Sequence, residues 1–201
     1  METVLSTKES ALGPSITLFP SGRQFFYSSP TWNIEDIAHA LGMACRFAGN
    51  VRHFYSVAEH SVVVSLLMEE LGLGDPLEGL LHDAHESVSG DLVVPAKAVV
   101  AGWHPFELEL ERSVRDHFHL PMAKTFGCAQ ADKLALYIEA WFLKANRGAL
   151  GSRPDGAERE EDVELRSIAR DLIDKQGWRT LNLLPQEATA AFLDQWNSLR
   201  A

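Results

Sequence analysis

The sequence predicts an all-α bundle preceded by a small β-hairpin. Apolar residues recur at helical spacing through most segments beyond residue 33. Capping residues stand ahead of several of these segments, and strand-like runs are almost absent after the first few tens of residues.

The hairpin is expected over Thr17 to Tyr27, where two short apolar runs flank a Ser21-Gly22 turn. Asn33 then stands as an N-cap with Asp36 three residues on; Ile34, Ile37, Ala38, Leu41 and Cys45 follow at helical spacing, and this helix should end near Phe47, ahead of Gly49. Ser56-Val-Ala-Glu59 reads as a reciprocal capping box opening a helix to about Leu71. Asp75-Pro76 opens the next, whose Leu77, Leu80, Leu81 and Ala84 face a core and which Gly90 should stop. Further helical patterns cover about 105–117, 130–145, 161–175 and 185–199. Gly148 to Gly156, rich in Gly and Pro, reads as a surface loop, because the two helices after it are too little chain for a separate core. The expectation is one domain over residues 1–201.

Composition narrows the function. The 201 residues are 46% hydrophobic and 23% charged, an ordinary globular balance, and 18 Lys and Arg against 28 Asp and Glu give a formal net charge of −10. Such a chain is unsuited to long nucleic acids, so an anionic partner should be small. Cys45 and Cys128 are too few for a disulfide framework or a thiolate metal site and are expected as buried, reduced thiols. The N-terminus lacks an apolar stretch of signal-peptide length, and the most apolar run, Val62 to Met68, is too short for a bilayer. These features imply a cytoplasmic protein without a membrane partner.

The chemistry concentrates around His82-Asp83. Both lie in an otherwise apolar segment, with Glu86 four residues past His82 and Asp91 beyond the expected helix end. His60 on the preceding helix can approach His82 if the two helices run antiparallel, and Asp132 can reach the same point from a third helix. Burying so many ionisable groups is costly without an ion, and two imidazoles with two carboxylates suit a divalent metal. Singly, each nearby group also has an ordinary use: Arg46 meets a helix C-terminal dipole, Lys97 is solvated, Glu86 pairs with a basic residue, and Asp91 caps a turn.

The ordered segments Arg46-Phe47, Ser56-Val-Ala-Glu-His-Ser61, Leu81-His-Asp-Ala-His-Glu86, Gly90-Asp-Leu-Val-Val-Pro-Ala-Lys97 and Ala131-Asp-Lys-Leu134 resemble the HD-domain metal-dependent phosphohydrolases. The resemblance is closest to the small branch that holds bacterial 5′-deoxynucleotidases and phage-type deoxynucleoside (dATP) triphosphohydrolases. It implies an HD-domain helical bundle with its core at about 34–145 and C-terminal helices at about 158–200. It further implies His60, His82, Asp83 and Asp132 as ligands of one divalent ion (Co²⁺, Mn²⁺, Zn²⁺ or Mg²⁺), and Glu86 and Asp91 as catalytic acids near the attacking water. Arg46 and Lys97 would meet substrate phosphate, with Arg52, His53 and Lys133 completing a basic set, and Trp32 beside the hairpin would stack on a base. His85 stands at a variable position of the motif and is expected exposed or behind the ligands.

The activity so implied is hydrolysis of a small 2′-deoxynucleotide, with a deoxynucleoside triphosphate favoured and a monophosphate as the alternative. A non-enzymatic nucleotide sensor would be expected to have lost a ligand or an acid, and every motif position is filled. A two-metal cyclic-dinucleotide phosphodiesterase would need further histidines and a Gly-Tyr-Pro segment. The apolar C-terminal helix from Ala188 to Leu199, with the resemblance, implies a homo-oligomer.

Overall fold

The computed structural model describes residues 13–145 and 160–201. In chain order the elements are β1 (Ser15–Thr17), β2 (Gln24–Phe26), α1 (Ile34–Met43), a 3₁₀ segment (Arg46–Gly49), α2 (Val57–Leu71), α3 (Pro76–Leu81), α4 (Glu86–Ser89), α5 (Val94–Lys97), α6 (Trp103–His117), α7 (Phe126–Leu143), α8 (Glu160–Gln176) and α9 (Pro185–Ser198). The protein is mostly helical, with β1 and β2 paired antiparallel so that Ile16 opposes Phe25. The 148–156 loop lies outside the described residues. No described helix is long and apolar enough to cross a membrane.

α2 positions everything else, because it is apolar on every side. Ala58 and Val62 pack with Ile37, Leu41, Leu80, Leu110 and Phe192 in one core. Val63, Val64, Leu67 and Met68 pack with Leu134, Ile138, Leu165 and Leu172 in another. Each such side chain taken from water contributes about 1.5–3 kcal/mol. A helix buried all round leaves its polar residues no solvent, so Glu59, His60, Ser61 and Ser65, all fully buried, need partners from neighbouring elements.

Glu59 departs from the capping box. The Ser56 hydroxyl accepts from the Glu59 amide at 3.0 Å, but the Glu59 carboxylate accepts from the amides of Asn182 (2.7 Å) and Leu183 (3.2 Å). It therefore ties the segment ahead of α9 to the start of α2 instead of closing its own helix end. Asp36 does the same for the hairpin: Asn33 caps its amide, while its carboxylate accepts from the Ser21 amide and hydroxyl and pairs with Arg23.

Three other expectations change. The first helix stops at Met43 rather than near Phe47, since Ala44 is extended, Val57 donates to the Ala44 carbonyl, and Phe47 and Ala48 take left-handed φ values of 57° and 51°. The helix expected to run on to Gly90 divides into α3 and α4 around residues 82–85. Cys128 is buried and Cys45 only half-buried, both as free thiols.

α3 lies unusually close to α2. A Cβ at Gly79 would fall 2.8 Å from Met68 Sδ and 3.1 Å from Ser65 Cα. Gly79→Ala should therefore overpack this crossing and cost about 1–3 kcal/mol. Urea denaturation checks this, and an unchanged midpoint would contradict so close an approach.

Candidate metal centre

Three segments converge on one point. α2 brings His60, the turn after α3 brings His82 and Asp83, and the second turn of α7 brings Asp132. His60 Nε2 lies 3.2 Å from His82 Nε2, 3.2 Å from Asp132 Oδ1 and 3.6 Å from Asp83 Oδ2. His82 Nε2 lies 3.1 Å from Asp83 Oδ2 and 3.8 Å from Asp132 Oδ1. Neighbouring ligands each about 2.1 Å from a common ion stand roughly 3.0–3.4 Å apart, close to these separations. His60, His82 and Asp132 could hold a divalent metal ion, and Asp83 stands beside them, within 3.6 Å of both imidazoles.

The imidazoles are oriented from behind. His82 Nδ1 donates to the Gly79 carbonyl at 2.7 Å, so its Nε2 faces the other ligands as an acceptor. His60 Nδ1 meets Glu139 Oε1 at 2.5 Å. Glu139 is fully buried on α7; it also accepts from the Tyr55 hydroxyl at 3.0 Å and pairs with Arg46 Nε at 3.3 Å. Burial opposes its ionisation, but Arg46 and His60 outweigh that and hold it below the ordinary carboxylate value. Glu139 was not among the sequence candidates. Its signal was there, since it follows Asp132 by seven residues, two turns along the same helix face, as a lone acid in an apolar run.

Arg46 leaves the 3₁₀ segment rather than a helix end, and its Nη1 reaches to 3.7 Å from Asp83 Oδ2. A cavity of about 660 Å³ opens over the cluster. Arg46, Lys97, Lys124 and Lys144 line it as cations, with Glu86 and Asp91 as acids and Phe47 as an aromatic wall. Lys124 donates to Asp132 Oδ2 at 3.0 Å, which leaves Oδ1 for the histidine side. Lys144 donates to the Asn50 carbonyl at 2.9 Å and lies over the Phe47 ring. Burial, reinforced by Asp83 and Asp91, raises the Glu86 pKa well above the ordinary value; burial also raises Asp91, with Arg46 opposing. Both acids can therefore keep a proton where an ordinary carboxyl has lost it.

Four sequence candidates fall elsewhere. Trp32 is a core residue, 6% exposed, stacked near Phe25 with its Nε1 donating to Ser113 Oγ at 3.1 Å; the hairpin covers the bundle and needs that ring inside. Arg52 and His53 are exposed and do not line the cavity, because the chain between the 3₁₀ segment and α2 turns them outward while the Arg52 amide donates to the Leu143 carbonyl. Lys133 does not line this cavity; it pairs with Asp162 at 2.6 Å and lines a smaller neighbouring cleft that shares Asp132. His85, expected exposed or behind the ligands, is buried.

No protein-family model matches the chain. It is similar to the uncharacterized protein YfdR of Escherichia coli strain K12, with 28% identity over 182 residues, covering 89% of this chain and 92% of that protein. It is also similar to an uncharacterized protein of Rhodobacter capsulatus, with 37% identity over 130 residues, covering 60% of this chain and 66% of the relative.

The carboxylates around His60 favour its protonated form. Burial and Arg46 lower the His60 pKa, but Glu139 and Asp132 raise it more, to about 9. The resulting contribution to stability is full below the unfolded value of about 6.5 and fades as pH rises through the folded one. A metal competes with that proton, so uptake at pH 7 should release about one proton and strengthen between pH 7 and 9. Calorimetry in buffers of different ionisation enthalpy reads this directly, and uptake without proton release would contradict it. Glu139→Gln should weaken metal binding about 10–100-fold by loosening His60.

Proposed function

We propose that the protein is an HD-type, divalent-metal-dependent phosphohydrolase acting on a small nucleotide, with a deoxynucleoside triphosphate as the favoured substrate. The observation that carries this reading is the cavity itself: four cationic side chains, Arg46, Lys97, Lys124 and Lys144, surround its mouth above a cluster able to hold a metal. A single phosphate has little use for so many cations, whereas a chain of phosphates does. Next to it, an adjoining cleft of about 330 Å³ shares Asp132 and Leu136 and offers Phe126 with Gln130 to a base.

His60, His82, Asp83 and Asp132 would hold the ion. When bound, it supplies Lewis acidity and lowers the pKa of the attacking water. Arg46 offers a planar fork to phosphate oxygens, and the lysines offer point charges. Of Glu86 and Asp91, both on the cavity wall with raised pKa values, one in its ionised form would take the proton of the attacking water while the other, protonated, gives one to the leaving oxygen. Leu92, Val93 and Val94 supply an apolar part of the wall.

The test is a panel of Co²⁺, Mn²⁺, Zn²⁺ and Mg²⁺ against deoxynucleoside mono-, di- and triphosphates with product identification. Triphosphate release from deoxynucleoside triphosphates is the expected result. Phosphate release from monophosphates alone would replace it with a 5′-deoxynucleotidase, and no hydrolysis anywhere would end the enzymatic reading. Asp83→Ala should lose the metal, whereas Glu86→Gln should keep it and lower kcat about 10²–10⁴-fold.

A further inference from the structure

A second group of ligand-type side chains stands beside the first cluster and takes no part in it. His85 in the turn before α4, Glu86 at the start of α4 and Glu107 on α6 each offer an atom within 4.8 Å of the others. His85 and Glu86 are each only 5% exposed. Neither ring nitrogen of His85 has a hydrogen-bond partner, nor does Glu86 Oε2. His85 Nε2 is 3.7 Å from Glu107 Oε1, too long for a hydrogen bond. A core histidine with a purely structural role satisfies at least one nitrogen, and leaving both bare is costly.

The Lys97 ammonium sits against the same carboxylates, 2.5 Å from Glu107 Oε1 and 3.6 Å from Glu86 Oε1. It reaches both carboxyl groups but leaves the imidazole without a hydrogen bond. A divalent ion would take the place of the ammonium and of the Glu86 proton and give His85 a partner as well.

We propose that His85, Glu86 and Glu107 form a second divalent-cation site, for which the Lys97 ammonium is the built-in competitor. One imidazole with two carboxylates suits Mn²⁺, Fe²⁺, Co²⁺ or Zn²⁺. Lys97 lines the cavity and is partly exposed, so its flexible stem can turn the ammonium away from Glu107 towards an anion there. Anion binding in the cavity and cation binding at this site then favour one another, because both want Lys97 in the same place. The site stands whether or not the protein hydrolyses nucleotides, since only cation binding is claimed for it.

The experiment is calorimetric titration of the whole protein with MnCl₂ and CoCl₂, with metal content checked after desalting. Wild type should take one tight and one weaker equivalent. Asp132→Asn should remove the tight one, while Glu107→Gln and His85→Asn should each remove the weaker and spare the tight one. Lys97→Met, which keeps the apolar stem and deletes the charge, should tighten the weaker equivalent about tenfold or more. This last effect is a gain, so a damaged fold cannot imitate it. One equivalent in both wild type and Lys97→Met would overturn the proposal, as would a second equivalent that survives Glu107→Gln and His85→Asn.

Discussion

The pairing of Glu139 with His60 is the constraint on which the architecture turns. A carboxylate without exposure, on a helix packed into the core, is tolerable only when its charge is answered at once. The answers come from different parts of the chain: His60 from α2, Arg46 from the 3₁₀ segment, and Tyr55 from the approach to α2. Satisfying one oxygen pair therefore fixes α2, α7 and the turn between α1 and α2 relative to one another. The same contact aims His60 Nε2 at His82 and Asp132, so the stability of the crossing and the geometry of the metal cluster are one problem.

That coupling explains why α2 is buried all round. A histidine on a half-exposed helix would be free to turn to solvent, whereas His60 sits between two cores and cannot. Gly79 contributes from the other side: by lacking a side chain it admits α3 onto Ser65 and Met68, and its carbonyl then holds His82. The break between α3 and α4 falls at residues 82–85, so the ligand pair sits where regular helix is interrupted rather than in its middle.

The helices were legible because their signals are local. Asn33, Ser56 and Asp75 accept from the amides expected of N-caps, and the apolar periodicity marks the buried faces. The group able to hold a metal was legible through His60, His82 and Asp132, which the fold brings together with Asp83 beside them. What lay hidden was tertiary. Whether Trp32 faces a ligand or the core depends on how the hairpin docks, and that depends on Asp36 reaching Ser21. Arg46 and Arg52 look equivalent in sequence, yet two left-handed residues between them, Phe47 and Ala48, send one inward and the other out. Lys124 and Lys144 flank α7 in sequence, and only the fold brings both to the cavity beside Arg46.

The overall charge of −10 and a cavity lined with cations are compatible because charge acts over a short range in salt water. Exposed acids such as Asp171 and Asp174 pair along their own helix face with Lys175 and Arg170. Beyond the screening length of about 8 Å at physiological ionic strength, such surface groups contribute little to the potential inside a cavity. Arg46, Lys97 and Lys124 act at contact range and across a partly dehydrated space, where the same charge counts for more. Each is also held by an acid (Glu139, Glu107 and Asp132 in turn), so that none needs an anion to be stable in the free protein. On the proposed reading, an anion entering the cavity would have to compete with a carboxylate for each cation, and a metal ion bound to those carboxylates would shift the competition in the anion's favour. A metal and an anionic ligand would then be coupled through the residues they divide between them, without any larger movement of the fold.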